Sequence, residues 1–81
     1  MGKYISNYVR QIEFKMTLKA DVIDIENYTD IGNISDSEIV IFDNNKKIRI
    51  KGKKLSIVKL LSNEVLITGN YNNITFEGKN E

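Results

Sequence analysis

Cysteine, histidine, proline and tryptophan are all absent from these 81 residues. Without cysteine there are no disulfides and no thiolate metal sites. The lack of histidine removes imidazole metal ligands and every Ser-His or Cys-His nucleophile pair. Any catalysis would have to use carboxylates, lysines or tyrosines. A chain without proline must turn on Gly, Asn and Asp instead. No run of about 18 apolar residues is present, so no transmembrane helix is expected. The first residues, "MGKYISNYVRQ", lack an apolar stretch, so no secretory signal is expected either.

What is present reads as one globular domain spanning 1–81. Apolar residues make up 41% and charged residues 28%, too apolar for a disordered chain. A domain this small buries a modest core, which makes self-association a natural source of extra stability. The net charge of +1 conceals segregation: seven acidic and no basic residues lie from Asp21 to Asp43, then seven basic and no acidic ones from Lys46 to Lys59.

The N-terminal part carries two periods. Tyr4, Ile5, Tyr8, Val9, Ile12 and Met16 recur at helical spacing, whereas Ile12, Phe14, Met16, Leu18, Ala20 and Val22 alternate as in a strand. The expectation is a short helix or arm over about 3–11 followed by an extended segment over 12–18. A single helix reaching Lys15 is the competing arrangement.

From Asp21 to Gly78 the chain reads as a mainly β, antiparallel meander of five to six short strands. "VIDIENY", "EIVIFD", "KKIRIKG", "KLSIVKL", "EVLITG" and "NITFEG" are the strand segments. Asp43–Asn45 is a turn signal, and Gly52 with its flanking lysines is expected to mark another turn. "SDSE" at 35–38 has the form of a helix capping box, but the β-branched "IVIF" after it favours a turn into a strand. A faint repeat at an offset of 17 aligns Ile48 with Val65, Ile50 with Ile67, Gly52 with Gly69 and Ile57 with Ile74. Two matching units suit two similar hairpins better than a solenoid, which needs at least three.

One face of this sheet would carry Ile39, Ile41, Ile48, Ile50, Leu55, Ile57, Val65, Ile67, Ile74 and Phe76. The other mixes Arg49, Lys51, Ser56, Thr68, Thr75 and Glu77 with Val40, Phe42, Val58, Leu60 and Leu66. Five aliphatic or aromatic side chains left in water would forfeit roughly 1.5–3 kcal/mol each. They either close an ordinary core or, together with Tyr4, Tyr8 and Val9, form a contact surface.

The basic segment Lys46, Lys47, Arg49, Lys51, Lys53 and Lys54 suggests phosphate contacts. Its lysines, however, alternate with Ile48 and Ile50 as on any half-buried strand. No aromatic interrupts Lys46–Lys59 to stack on bases, and "KGKK" is not a phosphate-binding loop. Nucleic acid is therefore the second reading. Asp24 with Glu26, or Asp36 with Glu38, could be taken for metal ligands, but the spacing of a calcium loop is missing and solvated carboxylates explain them. Cross-strand pairs such as Phe42/Arg49 or Asp43/Lys46 would let the two charge blocks meet within one chain. Blocks on opposite edges would instead let copies stack head to tail. No catalytic, cofactor or metal residues are assigned, and so short a chain leaves little room for a small-molecule substrate.

The block from Ile25 to Gly78 resembles the YabP/YqfC family of sporulation proteins of spore-forming Firmicutes. The resemblance rests on "IENY", the "DSEIVI" strand, "KIRIKGKKLSI", "LSNEVLITG" and the final "NITFEG". Relative to that family, the stretch between "LKADVI" and "IENY" is shortened and lacks its proline. The resemblance implies a non-enzymatic protein of spore coat or envelope assembly. It would be cytoplasmic, in the mother cell at the forespore surface. Its partners would be other spore-envelope proteins and further copies of itself, with no cofactor.

Overall fold

The computed structural model describes residues 13–78. The helix or arm expected over 3–11 lies outside them. Six strands follow in order: β1 Lys15–Leu18, β2 Val22–Glu26, β3 Asp30–Ile34, β4 Glu38–Asp43, β5 Lys46–Leu60 and β6 Glu64–Gly78. They form one open antiparallel sheet in the spatial order β1-β2-β6-β5-β4-β3. The described part of the expected extended segment contains β1, and residues 13–15 are not helical.

The turn expected at Gly52 is absent, and none separates "EVLITG" from "NITFEG". Gly52 lies within β5 and Gly69 within β6, and each 15-residue strand passes through its glycine without reversing. Six strands still result, because β1 and the polar segment "DIGNI" of β3 add two while four expected short strands merge into two. The glycines serve close approach instead. A Cβ on Gly52 would stand 2.2 Å from the Asn70 carbonyl oxygen, and one on Gly69 would stand 2.5 Å from that of Lys54. Gly69 also has φ +130°, a backbone conformation L side chains rarely adopt. The faint repeat is thus a shared bend in two long strands.

The bend is large. β4 pairs with the first part of β5, at Lys46–Lys51, whereas β2 pairs with the first part of β6, at Glu64–Thr68. A straight strand from Lys47 to Leu60 would be about 43 Å long. Yet the Asn27 N–H donates to the Asn63 carbonyl (2.6 Å), and the Thr29 N–H donates to that of Phe42 (2.8 Å). Three consecutive residues reach the turns at both ends of β5, so the β5/β6 hairpin folds over on itself. Ladder irregularities at 51/52, 53/56 and 57/59 accompany the bend, and Lys54 has a positive φ of 56°. The crease is closed by the β3–β4 turn: Gly52 and Leu55 donate their N–H groups to the carbonyls of Ser37 and Asp36. That turn is built by Ser35, whose Oγ accepts from the N–H of Ser37 and of Glu38, as the "SDSE" pattern foretold.

Folding over creates two layers facing one core. The register lines up four apolar rows: Met16–Ile25–Val65–Leu60 and Leu18–Ile23–Ile67–Ile57 in the first layer, then Phe76–Ile48–Ile41–Ile31 and Ile74–Ile50–Ile39–Ile34 in the second. The two middle members of every row are fully buried and belong to one cluster, which Leu55 joins. One end of each row stays open: Leu60 is 55% exposed, Leu18 51%, Phe76 60% and Ile34 51%. In each layer the two open ends occupy opposite corners. This is the pattern of twisted layers that meet closely along one diagonal and splay along the other.

Candidate interaction surface

The outer face of the second layer carries the basic segment. Arg49 sits between two strands of opposite charge. Its Nη1 donates to Glu38 Oε2 at 2.7 Å, and its Nε lies 3.5 Å from Glu77 Oε2. The hydrogen bond to Glu38, aided by the charge of Glu77, raises the guanidinium pKa above its ordinary value. Arg49 is thereby paired with carboxylates of both neighbouring strands. Lys47 faces Glu77 across the ladder, while Lys46, Lys51, Lys53 and Lys54 are solvent-exposed and have no ion pair among the described residues. The acidic and basic blocks do meet. Asp43 faces Lys46 as expected, but Arg49 faces Val40 rather than Phe42, whose partner is Lys47.

Of the proposed apolar contact residues, Val40 is only 4% exposed and cannot form a surface. Val40 and Phe42 pack over Gly32, where a Cβ would approach to 3.3 Å and 3.0 Å respectively. Phe42 is half-buried beside a shallow hollow of about 260 Å³, lined also by Asn44, Asn45, Lys47, Glu77 and Gly78. Leu66 is half-buried on the outer face of the first layer, opposite Asp24 and Lys59. Val58 is exposed and has no cross-strand partner. The irregularity there shifts the phase of β5 and brings Leu60 into the inward row with Val65, opposite to the face its spacing suggested. Tyr4, Tyr8 and Val9 lie outside the described residues.

The pairing also leaves backbone edges free. β1 and β3 end the sheet. Beyond the reach of β4, Ser56–Leu60 of β5 pairs only with β6, and beyond the reach of β2, Asn73–Gly78 of β6 pairs only with β5. Unpaired strand edges offer rows of N–H and C=O groups to another chain. Leu60 and Phe76 each stand on such an edge.

A carboxylate cluster escaped the sequence reading. Asp24 and Glu26 were visible on one strand face, but Glu64 joins them through the β2/β6 register. One oxygen from each lies within 4.8 Å of the others. The hydrogen bond to Asp24, then partial burial and the Asp24 charge, raise the Glu64 pKa, against the pull of Lys59 at 3.6 Å. Asp24 Oδ1 is buried without a partner. Asp36 and Glu38 take no part.

The model of the YabP family matches residues 11–81. The chain belongs to the YabP family. No curated protein and no solved structure matches it. Membership ties the chain to sporulation and to a family without catalytic function. It also agrees with the residues that carried the resemblance, which lie in β2, β4, β5 and β6 and in the turns that adjoin them. No helix among the described residues is long and apolar enough to cross a membrane.

Proposed function

We propose that this YabP-family chain is a non-catalytic component of spore coat or envelope assembly that works through protein–protein contacts, including contacts with its own copies. The observation that carries this reading is the coincidence of free strand edges with exposed apolar row ends, seen at Leu60 on β5, Phe76 on β6, Ile34 on β3 and Leu18 on β1. A partner strand added to such an edge gains backbone hydrogen bonds and covers an apolar side chain in the same step. The work takes place in the mother-cell cytoplasm, at the forespore surface. Partners are other envelope proteins and further copies of this chain. Neither a cofactor nor a small substrate has a role.

Sedimentation at increasing protein concentration tests the idea. Average mass should climb with concentration, and Phe76→Lys or Ile34→Lys should suppress the climb. A strictly monomeric species at high concentration would overturn self-association.

A further inference from the structure

The four strand edges left free among the described residues are not equivalent. β1 is four residues long and begins with Lys15. β3 begins with Asp30 and loses register with β4 between Ile31 and Ile34. The Ser56–Leu60 edge of β5 is broken between Ile57 and Lys59 and carries that lysine. Short length, charge and bulges are the devices by which native sheets stop an edge from pairing. The Asn73–Gly78 edge of β6 has neither a bulge nor a lysine. Its six residues pair with Lys46–Lys51 of β5 in unbroken register. Its one charged side chain, Glu77, lies with Arg49 of the neighbouring strand, whose Nε is 3.5 Å away.

The same edge is complementary to itself. Ile74 and Phe76 lie on the core face, and Asn73, Thr75 and Glu77 on the outer face. About a two-fold axis through Thr75, an antiparallel second copy sets Ile74 against Phe76, Thr75 against Thr75 and Asn73 against Glu77. No like charges oppose each other. On the core face, the row Ile31–Ile41–Ile48–Phe76 runs on into the Ile74–Ile50–Ile39–Ile34 row of the other copy. Phe76, 60% exposed, gains the apolar neighbour it lacks at its open corner. On the outer face, Glu77 of one copy comes to stand beside Asn73 and one strand away from Lys51 of the other. That lysine has no ion pair among the described residues.

We propose that this chain forms a symmetric dimer by antiparallel pairing of the Asn73–Glu77 edge with the same edge of a second copy. The inference rests on the assembly reading above and names the contact at which self-association begins. The occupant is a second copy because the edge supplies its own apolar and charge complement under a two-fold axis, as an isologous interface requires. Such a contact closes at two chains. The edges of β1, β3 and β5 stay available for further growth or for other partners.

The absence of cysteine makes the test direct. In the full chain, Thr75→Cys places one thiol on the axis, opposite its own copy on the exposed outer face. The control is Ser56→Cys, exposed on the outer face of the β5 edge. Under mild oxidation at equal concentration, Thr75→Cys should join two chains at least about tenfold faster than Ser56→Cys. A short bismaleimide linker is the second readout, because it bridges the thiols where the ladder geometry disfavours a disulfide. A faster Thr75→Cys by either readout supports the dimer, and equal rates by both would overturn it. Sedimentation of the unsubstituted chain separates the two ideas. A mass that climbs while the rates are equal keeps the assembly reading and removes this edge, whereas a mass fixed at one chain removes both.

Discussion

The Tyr28 hydroxyl donates to the Leu61 carbonyl just past one end of β5, while the residue after Tyr28 is bonded to Phe42 and Asn44, at the β4–β5 turn before its other end. Thr29 donates its N–H to the Phe42 carbonyl, and its Oγ1 accepts from the Asn44 N–H at 2.8 Å. The Tyr28–Thr29 peptide thus clasps the two turns that a straight β5 would hold far apart. Tyr28→Phe should keep the ring but lose the hydrogen bond, costing about 0.5–1.5 kcal/mol in urea unfolding. An unchanged midpoint would mean that the backbone bonds of Asn27 and Thr29 hold the fold over alone.

The crossing of β5 and β6 tolerates no Cβ. Gly69→Ala faces a 2.5 Å approach to the Lys54 carbonyl oxygen and 2.8 Å to Leu55 Cα, at a φ that disfavours alanine. It should lose at least about 2 kcal/mol, from overpacking and backbone strain together. Gly78→Ala has nothing within 4 Å and should stay within about 0.5 kcal/mol of the parent. Chemical denaturation of both variants checks the contrast.

Row position should govern the cost of truncation. Ile25→Ala and Ile41→Ala remove fully buried side chains from row centres and should each cost about 2–5 kcal/mol. Val58→Ala removes a side chain that is mostly in solvent and should fall within the range of ordinary surface substitutions, about 0.5 kcal/mol either way. Equal losses at Ile25 and Val58 would contradict the two-layer core.

The carboxylate cluster predicts an unusual pH response. Glu64 has a folded pKa above its ordinary value, so the folded chain binds more protons there than the unfolded chain does. Its contribution to stability therefore falls as pH rises from the ordinary carboxylate value through the raised one, and the full penalty is present above that window. Glu64→Gln should raise the melting temperature at pH 7, and the gain should shrink as pH is lowered through that window. A lower melting temperature at pH 7 would show that the lost pairing with Lys59 outweighs the relief.

Much of the fold was legible where chemistry is local. The alternation in "EIVIF" and "KKIRI" gave the inward faces of β4 and early β5, and Asp43–Asn45 gave the turn between them. The glycines were misread because one property serves two structures. A residue without a Cβ can reverse a chain, or it can let two backbones touch, and only the neighbour decides which. Leu60 was placed by counting in twos, a rule that fails wherever an irregularity shifts the phase. β3 was overlooked because "DIGNI" has few apolar residues and draws its stability from β4. Glu64 could not be assigned to Asp24 and Glu26, because their meeting depends on register between distant strands, which no local pattern records.

Because β5 and β6 each contribute to both layers, neither layer is a separable unit. Breaking the crease strips cover from both sets of rows at once, and no subset of strands retains a closed core. Local opening should be confined to the edges, with the central amides of β2, β4, β5 and β6 exchanging hydrogen only through global unfolding. The pairings that close the core, such as Ile23 with Ile67 and Ile48 with Phe76, join residues distant in sequence, and closing such loops slows folding. A newly made chain therefore gains its protected core in a single late event, once its final strand is available to both layers.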